Sequence, residues 1–115
     1  MSKYFFDLIV DGDVDVWTEE LVDAVMGATE TEGDPGVTTG IPSVICSGDF
    51  PTIRDAIKTR IAQVESCGLK VVEVKLFDGE KSEDVEAINL VLRLKKLVED
   101  KNKLVTLWQD FAQAS

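Results

Sequence analysis

An α+β domain is predicted by three features of the chain. Residues 4–11 (YFFDLIVD) and 69–77 (LKVVEVKLF) place apolar side chains at every second position, the period of a strand with one buried face. Between them lie two stretches with apolar residues at three-to-four spacing, each opened by a threonine suited to cap a helix. The last third repeats apolar residues with a seven-residue period. A chain of 115 residues is one domain, long enough to bury roughly 65% of its unfolded surface.

In the first strand Tyr4, Phe6, Leu8 and Val10 make one apolar face, and Phe5, Asp7, Ile9 and Asp11 make the other. The acidic run 11–16, DGDVDV, is a turn. Thr18 caps a helix over about 18–28, with Glu19 and Glu20 in the first turn, where carboxylates complement the helix dipole. Its stripe is Trp17, Leu21, Val25 and Ala28, flanked by Val22 and Met26. Residues 29–36, TETEGDPG, read as a loop. VTTG and SVICSG then read as two short strands joined through Gly40, Ile41 and Pro42, an antiparallel hairpin.

Thr52 caps the next helix, with Asp55 in the capping-box position and Gly68 as its stop. Ile53, Ile57, Ile61 and Val64 form its buried stripe, and Arg54, Lys58, Arg60 and Gln63 lie outside it. The fourth strand, 69–77, sets Val72, Val74 and Leu76 on one face. The order βαββαβ is the split βαβ, or ferredoxin-like, arrangement: a four-stranded antiparallel sheet with both helices on one side. The other side, carrying Phe5 and Ile9 with Leu69 and Val71, is too apolar to stand in water.

The C-terminal segment is the expected cover. Ser82 caps a single helix over 82–113, roughly 45 Å long, with a break near Asp100–Lys103 as a variant. Ala87, Leu90, Leu94, Leu97, Lys101, Leu104, Trp108 and Phe111 follow a heptad a/d pattern, widened by Val91, Val98, Val105 and Ala112. Val85, Ile88 and Leu92 add a second apolar face. Packing on its own sheet is the first expectation. The alternative is a homodimer seam through Leu90, Leu94, Leu97, Leu104, Trp108 and Phe111, in which Lys101 weakens the contact while fixing register. The chain thus divides into a core at 1–78 and a helix at 79–115, part of the same domain or a dimerisation arm.

Charge is segregated. Residues 1–50 carry eleven acids and one base, and residues 51–115 carry eleven of each, so the whole net charge of −10 lies in the first half. Such a field repels nucleic acid and anionic membrane and attracts basic partners. The expected partner is a basic protein that handles nucleic acid, with no direct nucleic-acid or membrane contact. Asp11, Asp13, Asp15, Glu19, Glu20, Asp23, Glu30, Glu32 and Asp34 form the candidate acidic face, with Trp17 and Met26 as apolar anchors.

Catalytic and metal signatures are missing from the sequence. There is no histidine, which excludes Ser-His-Asp and Cys-His nucleophilic arrangements. Cys46 and Cys67 form no CxxC and are expected as reduced thiols; two lone cysteines do not close a zinc site. The DGDVD turn has the early spacing of an EF-hand loop, but Val16 and Val22 stand where the loop needs its glycine and its bidentate glutamate. The glycines fit neither GxGxxG nor a P-loop. No catalytic, cofactor or metal residue is assigned, and a non-enzymatic protein is expected. The apolar run near Met1 is too short for a signal peptide and nothing approaches a membrane span, so the expected location is cytoplasmic.

The stretches EELVDAVMGA, GDPGVTTGIPSVICSGDF, PTIRDAIKTRIAQV and CGLKVVEVKL, together residues 18–76, resemble a group of small uncharacterised bacterial ferredoxin-like domains. That resemblance implies the same fold and carries over no site residue. Members of the group often continue into a helix-turn-helix segment, whereas this chain continues into the heptad helix. In general character, small, acidic and without catalytic groups, the chain also resembles anti-CRISPR, immunity and DNA-mimic inhibitors. That likeness implies an occluding binder or regulator. The alternative is a structural or adaptor module that self-associates through its C-terminal helix.

Overall fold

The computed structural model describes residues 2–77 and 82–114; the domain boundary expected at 78–79 lies outside them. The elements are β1 (Ser2–Val10), a 3₁₀ turn (Val14–Val16), α1 (Glu19–Ala28), β2 (Gly33–Thr38), β3 (Ile41–Phe50), α2 (Ile53–Glu65), β4 (Val71–Leu76) and α3 (Glu83–Ala114). The architecture is α+β: one sheet in the order β2-β3-β1-β4, every neighbouring pair antiparallel, and three helices. The threonine caps form as their positions predict. Thr18 Oγ1 accepts from the Leu21 N–H at 3.2 Å and Thr52 Oγ1 from the Asp55 N–H at 3.1 Å.

The core lies between one sheet face and the helices. Phe6, Leu8 and Val10 of β1, Val44 and Cys46 of β3, and Val71 and Val74 of β4 meet Val25 of α1 and Ala56, Ile57 and Val64 of α2. The hairpin closes at Thr39 and Gly40, whose φ angles of 50° and 80° are those of a two-residue turn matched to strand twist.

Four expectations are corrected. The loop expected at 29–36 ends earlier: β2 begins at Gly33 and takes in Pro35, which an edge strand tolerates. Pro42 lies inside β3, opposite Val37. Its missing N–H faces β1 beyond the last β1–β3 pair, Ile9 with Ser43, where there is no ladder bond to lose. A register shift between Ile9 and Val10 pairs Val10 with Val71, so Val71 and Leu69 turn into the core and Val72 does not. Finally, Arg60 is buried rather than outside the α2 stripe.

Arg60, 4% exposed, joins three segments. Its Nε and Nη2 donate to the Ser47 carbonyl of β3 at 3.2 and 2.9 Å, and its Nη1 to Gln63 Oε1 at 2.8 Å and the Thr29 carbonyl at 3.5 Å. Nη2 also pairs with the Glu32 carboxylate, and the guanidinium lies 5.2 Å from the Phe50 ring centroid. Gly48 leaves the room for this: a Cβ there would stand 2.7 Å from Arg60 Nη2 and from Phe50 Cε2.

The long helix does not cover the open sheet face. It runs against β4 and α2. Asn89 donates to the Val74 carbonyl at 3.0 Å and accepts from the Val74 N–H at 2.7 Å, occupying the edge of β4 as a strand would. Glu99 pairs with Lys70, just before β4, so α3 travels antiparallel to that strand and continues past it. The open face keeps Phe5 54% exposed, with Ile41 and Ile45 also exposed, while the central Ile9 is buried. The radius of gyration, 16.2 Å, exceeds the roughly 13 Å of a compact chain of this length.

Replacing Arg60 by alanine strands the Ser47 and Thr29 carbonyls and the Glu32 carboxylate. It should cost about 2–4 kcal/mol in urea unfolding. Arg60→Lys, lacking the planar fork, should recover only part of that.

Candidate functional site

α3 is amphipathic on two sides. Successive residues turn by about 100°, so Val85, Ile88, Asn89, Leu92 and Glu99 share one side, and that side meets β4, α2 and Lys70. The heptad stripe lies nearly opposite. Leu90, Val91, Leu94, Leu97, Val98, Leu104, Val105, Trp108 and Phe111 are 46–68% exposed. The expected packing of this stripe on the chain's own sheet is therefore corrected: the intramolecular contact uses Val85, Ile88 and Leu92 instead. The helix is unbroken through Asp100–Lys103. Trp108 and Phe111 stack with centroids 6.0 Å apart, making the end of the stripe its largest apolar feature. Typical monomers carry no apolar patch beyond ~300–600 Å². The two aromatics alone, about two-thirds exposed, offer roughly 200–300 Å² of that.

Beside the stripe runs a groove of about 540 Å³ between α2 and α3, walled by Ile61 and Ala62 on one helix and Ala87, Ile88 and Val91 on the other. Arg54 and Lys58 stand on the α2 side. Ala87 and Val91 belong to both groove and stripe, so the two surfaces are continuous.

The nine predicted acidic residues are all exposed but not all gathered. Asp11 and Asp13 precede the 3₁₀ turn, Asp15 lies in it, and Glu19, Glu20 and Asp23 lie at the start of α1, so these six fall at the N-terminal end of that helix. Glu30 follows the other end. Glu32 is held by Arg60. Asp34 pairs with Ile45 and thus lies on the open sheet face. Of the two proposed anchors, Met26 is exposed, while Trp17 is partly buried with its indole N–H on the Gly36 carbonyl at 2.7 Å.

A polar chain on the open face escaped the sequence reading. Asp7, 5% exposed, accepts from Thr38 Oγ1 at 2.5 Å through Oδ2, and Thr38 accepts in turn from Ser43 at 2.9 Å. Asp7 Oδ1 is buried without a partner among the described residues. The alternation of β1 placed Asp7 on this face, but only the hairpin register brings Thr38 to it. Among the described residues no group of three or more Asp, Glu, Cys or His gathers as a metal site, and no helix is long and apolar enough to cross a membrane.

Comparison with known proteins returns no match: no family model, no curated protein and no solved structure aligns significantly with the chain.

Both cysteines are free thiols. Burial pushes the Cys46 thiol from 9.0 up to about 12, against a lowering by Arg60 and with a further rise from Asp7. Between those values the fold keeps a proton that the unfolded chain releases. This contribution to stability is therefore complete below about pH 9 and declines as pH rises toward about 12. A thiol reagent at pH 8 should label Cys67 in the native protein and reach Cys46 only on unfolding, as peptide mass mapping would show.

Proposed function

We propose that this chain is a non-enzymatic association module. In this reading a ferredoxin-like βαββαβ core carries an amphipathic helix that joins it to a second copy. One observation carries it: the heptad stripe points away from its own domain, with nine large apolar side chains 46–68% exposed. A helix keeps two apolar sides when both are buried, and the chain buries only one of them. Standard interfaces bury ~800 Å² per partner, a demand that a stripe running most of a 32-residue helix can meet.

The expected mass in solution is twice the 12.7 kDa of one chain. Leu94→Asp, placing a charge at the centre of the stripe, should weaken self-association by about 2 kcal/mol or more per copy. Sedimentation should show it as monomer with its melting temperature little changed. Native protein that stays monomeric at high concentration would sink the reading.

A second reading is favoured by the six carboxylates at the start of α1: an inhibitor or regulator that occludes a basic, nucleic-acid-handling protein, of anti-CRISPR, immunity or DNA-mimic type. Carboxylates in such a contact steer association more than they add affinity. Replacing Asp11, Asp13, Asp15, Glu19 and Glu20 by their amides should abolish capture of one basic protein from bacterial lysate. Salt at ~0.5 M should release the native complex as well. Identical captures by the native and amide chains would reduce the cluster to a solvated surface.

A further inference from the structure

We infer that two copies pair through α3 in antiparallel orientation, each seating Trp108 and Phe111 against Ala87 and the α2–α3 groove of the other. The inference rests on the self-association reading and adds its partner, direction and seat.

Three observations set the direction. The first is charge. A parallel pair stacks Lys101 on Lys101 at a buried a position, two like charges in one layer. In an antiparallel pair a positions face d positions. With the helices fully overlapped, Lys101 lies opposite Leu97 and beside Asp100 of the second copy.

The second is size. The same overlap sets Leu94 opposite Leu104, Leu90 opposite Trp108, and Ala87 opposite Phe111. The smallest residue of the stripe meets one of the largest, where a parallel pair would set alanine on alanine and phenylalanine on phenylalanine. Close packing needs the mixed layers.

The third is the groove. Ala87 and Val91, at its α3 wall, fall at the level where the aromatic pair of the second copy arrives, and Ile61 and Ala62 supply the far wall. Among the described residues α3 makes its last ion pair with its own domain at Glu99 and continues beyond it, where Leu104, Trp108 and Phe111 are exposed and placed to meet a second copy. Near the groove this apolar end touches two helices, α3 and α2. This accounts for a stripe three residues wide per heptad where a simple two-helix seam uses two. Arg54 and Lys58 border the seat, placed for contact with the faces of the arriving rings.

The test is disulfide trapping in a Cys67→Ser background, with buried Cys46 left in place. The double variant Ala87→Cys/Phe111→Cys should form a covalent dimer under mild oxidant, and each single variant should stay uncrosslinked. Ala62→Arg, which puts a bulky charge into the groove from the α2 wall and leaves the α3 sequence unchanged, should weaken association about tenfold or more. A dimer by mass in which Ala87→Cys alone bridges to itself is parallel; it overturns this inference and leaves the association module intact. A dimer in which 87 and 111 do not bridge, or in which Ala62→Arg is silent, overturns the seat. A monomer overturns both readings.

Discussion

The Arg60 guanidinium is the point through which the helices, the hairpin and the chain between them are held in one arrangement. It stands beneath β3 and takes up carbonyls from two segments: Ser47 in the strand and Thr29 at the end of α1. A buried cation is tolerable only when its donors are matched, and here they are met by two carbonyls, the Gln63 amide and the Glu32 carboxylate. Gly48 and the face of Phe50 are shaped by the same group. Beside it the buried Thr29 hydroxyl accepts from the Gly33 N–H at 2.9 Å and so ties the start of β2 to the end of α1. Glu32, one of the nine acids of the candidate acidic face, is a structural counter-ion as well as a surface charge.

α3 settles two physical problems at one edge and leaves its heptad stripe exposed. It removes water from Val85, Ile88 and Leu92. It also satisfies the outward N–H and C=O of Val74, in the middle of β4, through the Asn89 amide. Spending this side on the edge turns the heptad stripe outward, because the two apolar sides lie nearly half a turn apart. A helix folded over the open sheet face would have hidden Phe5 and buried the Leu94 side. The molecule takes the lateral position, and the open face keeps its own polar chain, Asp7 to Thr38 to Ser43.

Local signals made most of this fold legible. Thr18 and Thr52 cap helices because their hydroxyls reach N–H groups three residues on, a matter of short-range geometry. The alternation in β1 and the extent of α3 are likewise properties of contiguous residues. What was misread depends on partners distant in sequence. Pro35 and Pro42 look like strand breakers until the sheet order shows that one sits at an edge and the other faces an absent ladder bond. The bulge that turns Val71 and Leu69 inward is visible only in the pairing with β1. Arg60 reads as a surface residue because nothing within a helical turn announces Ser47 or Thr29. The heptad stripe was legible as a candidate contact; which side of the helix the domain would use was not, since Val85, Ile88 and Leu92 make a shorter pattern than the one they displace.

The amide of Asn89 on Val74 limits how this protein can grow into anything larger. A sheet extends when a new strand finds an unpaired row of N–H and C=O groups. At the β4 border the groups of Val74 are met by a side chain, and a helix packs along the strand. At the opposite border β2 is six residues long, with Pro35 between Gly33 and Gly36, poor material for templating another strand. Addition of a fifth strand is thus disfavoured at both borders, by a capped backbone at one and by a short, proline-bearing strand at the other.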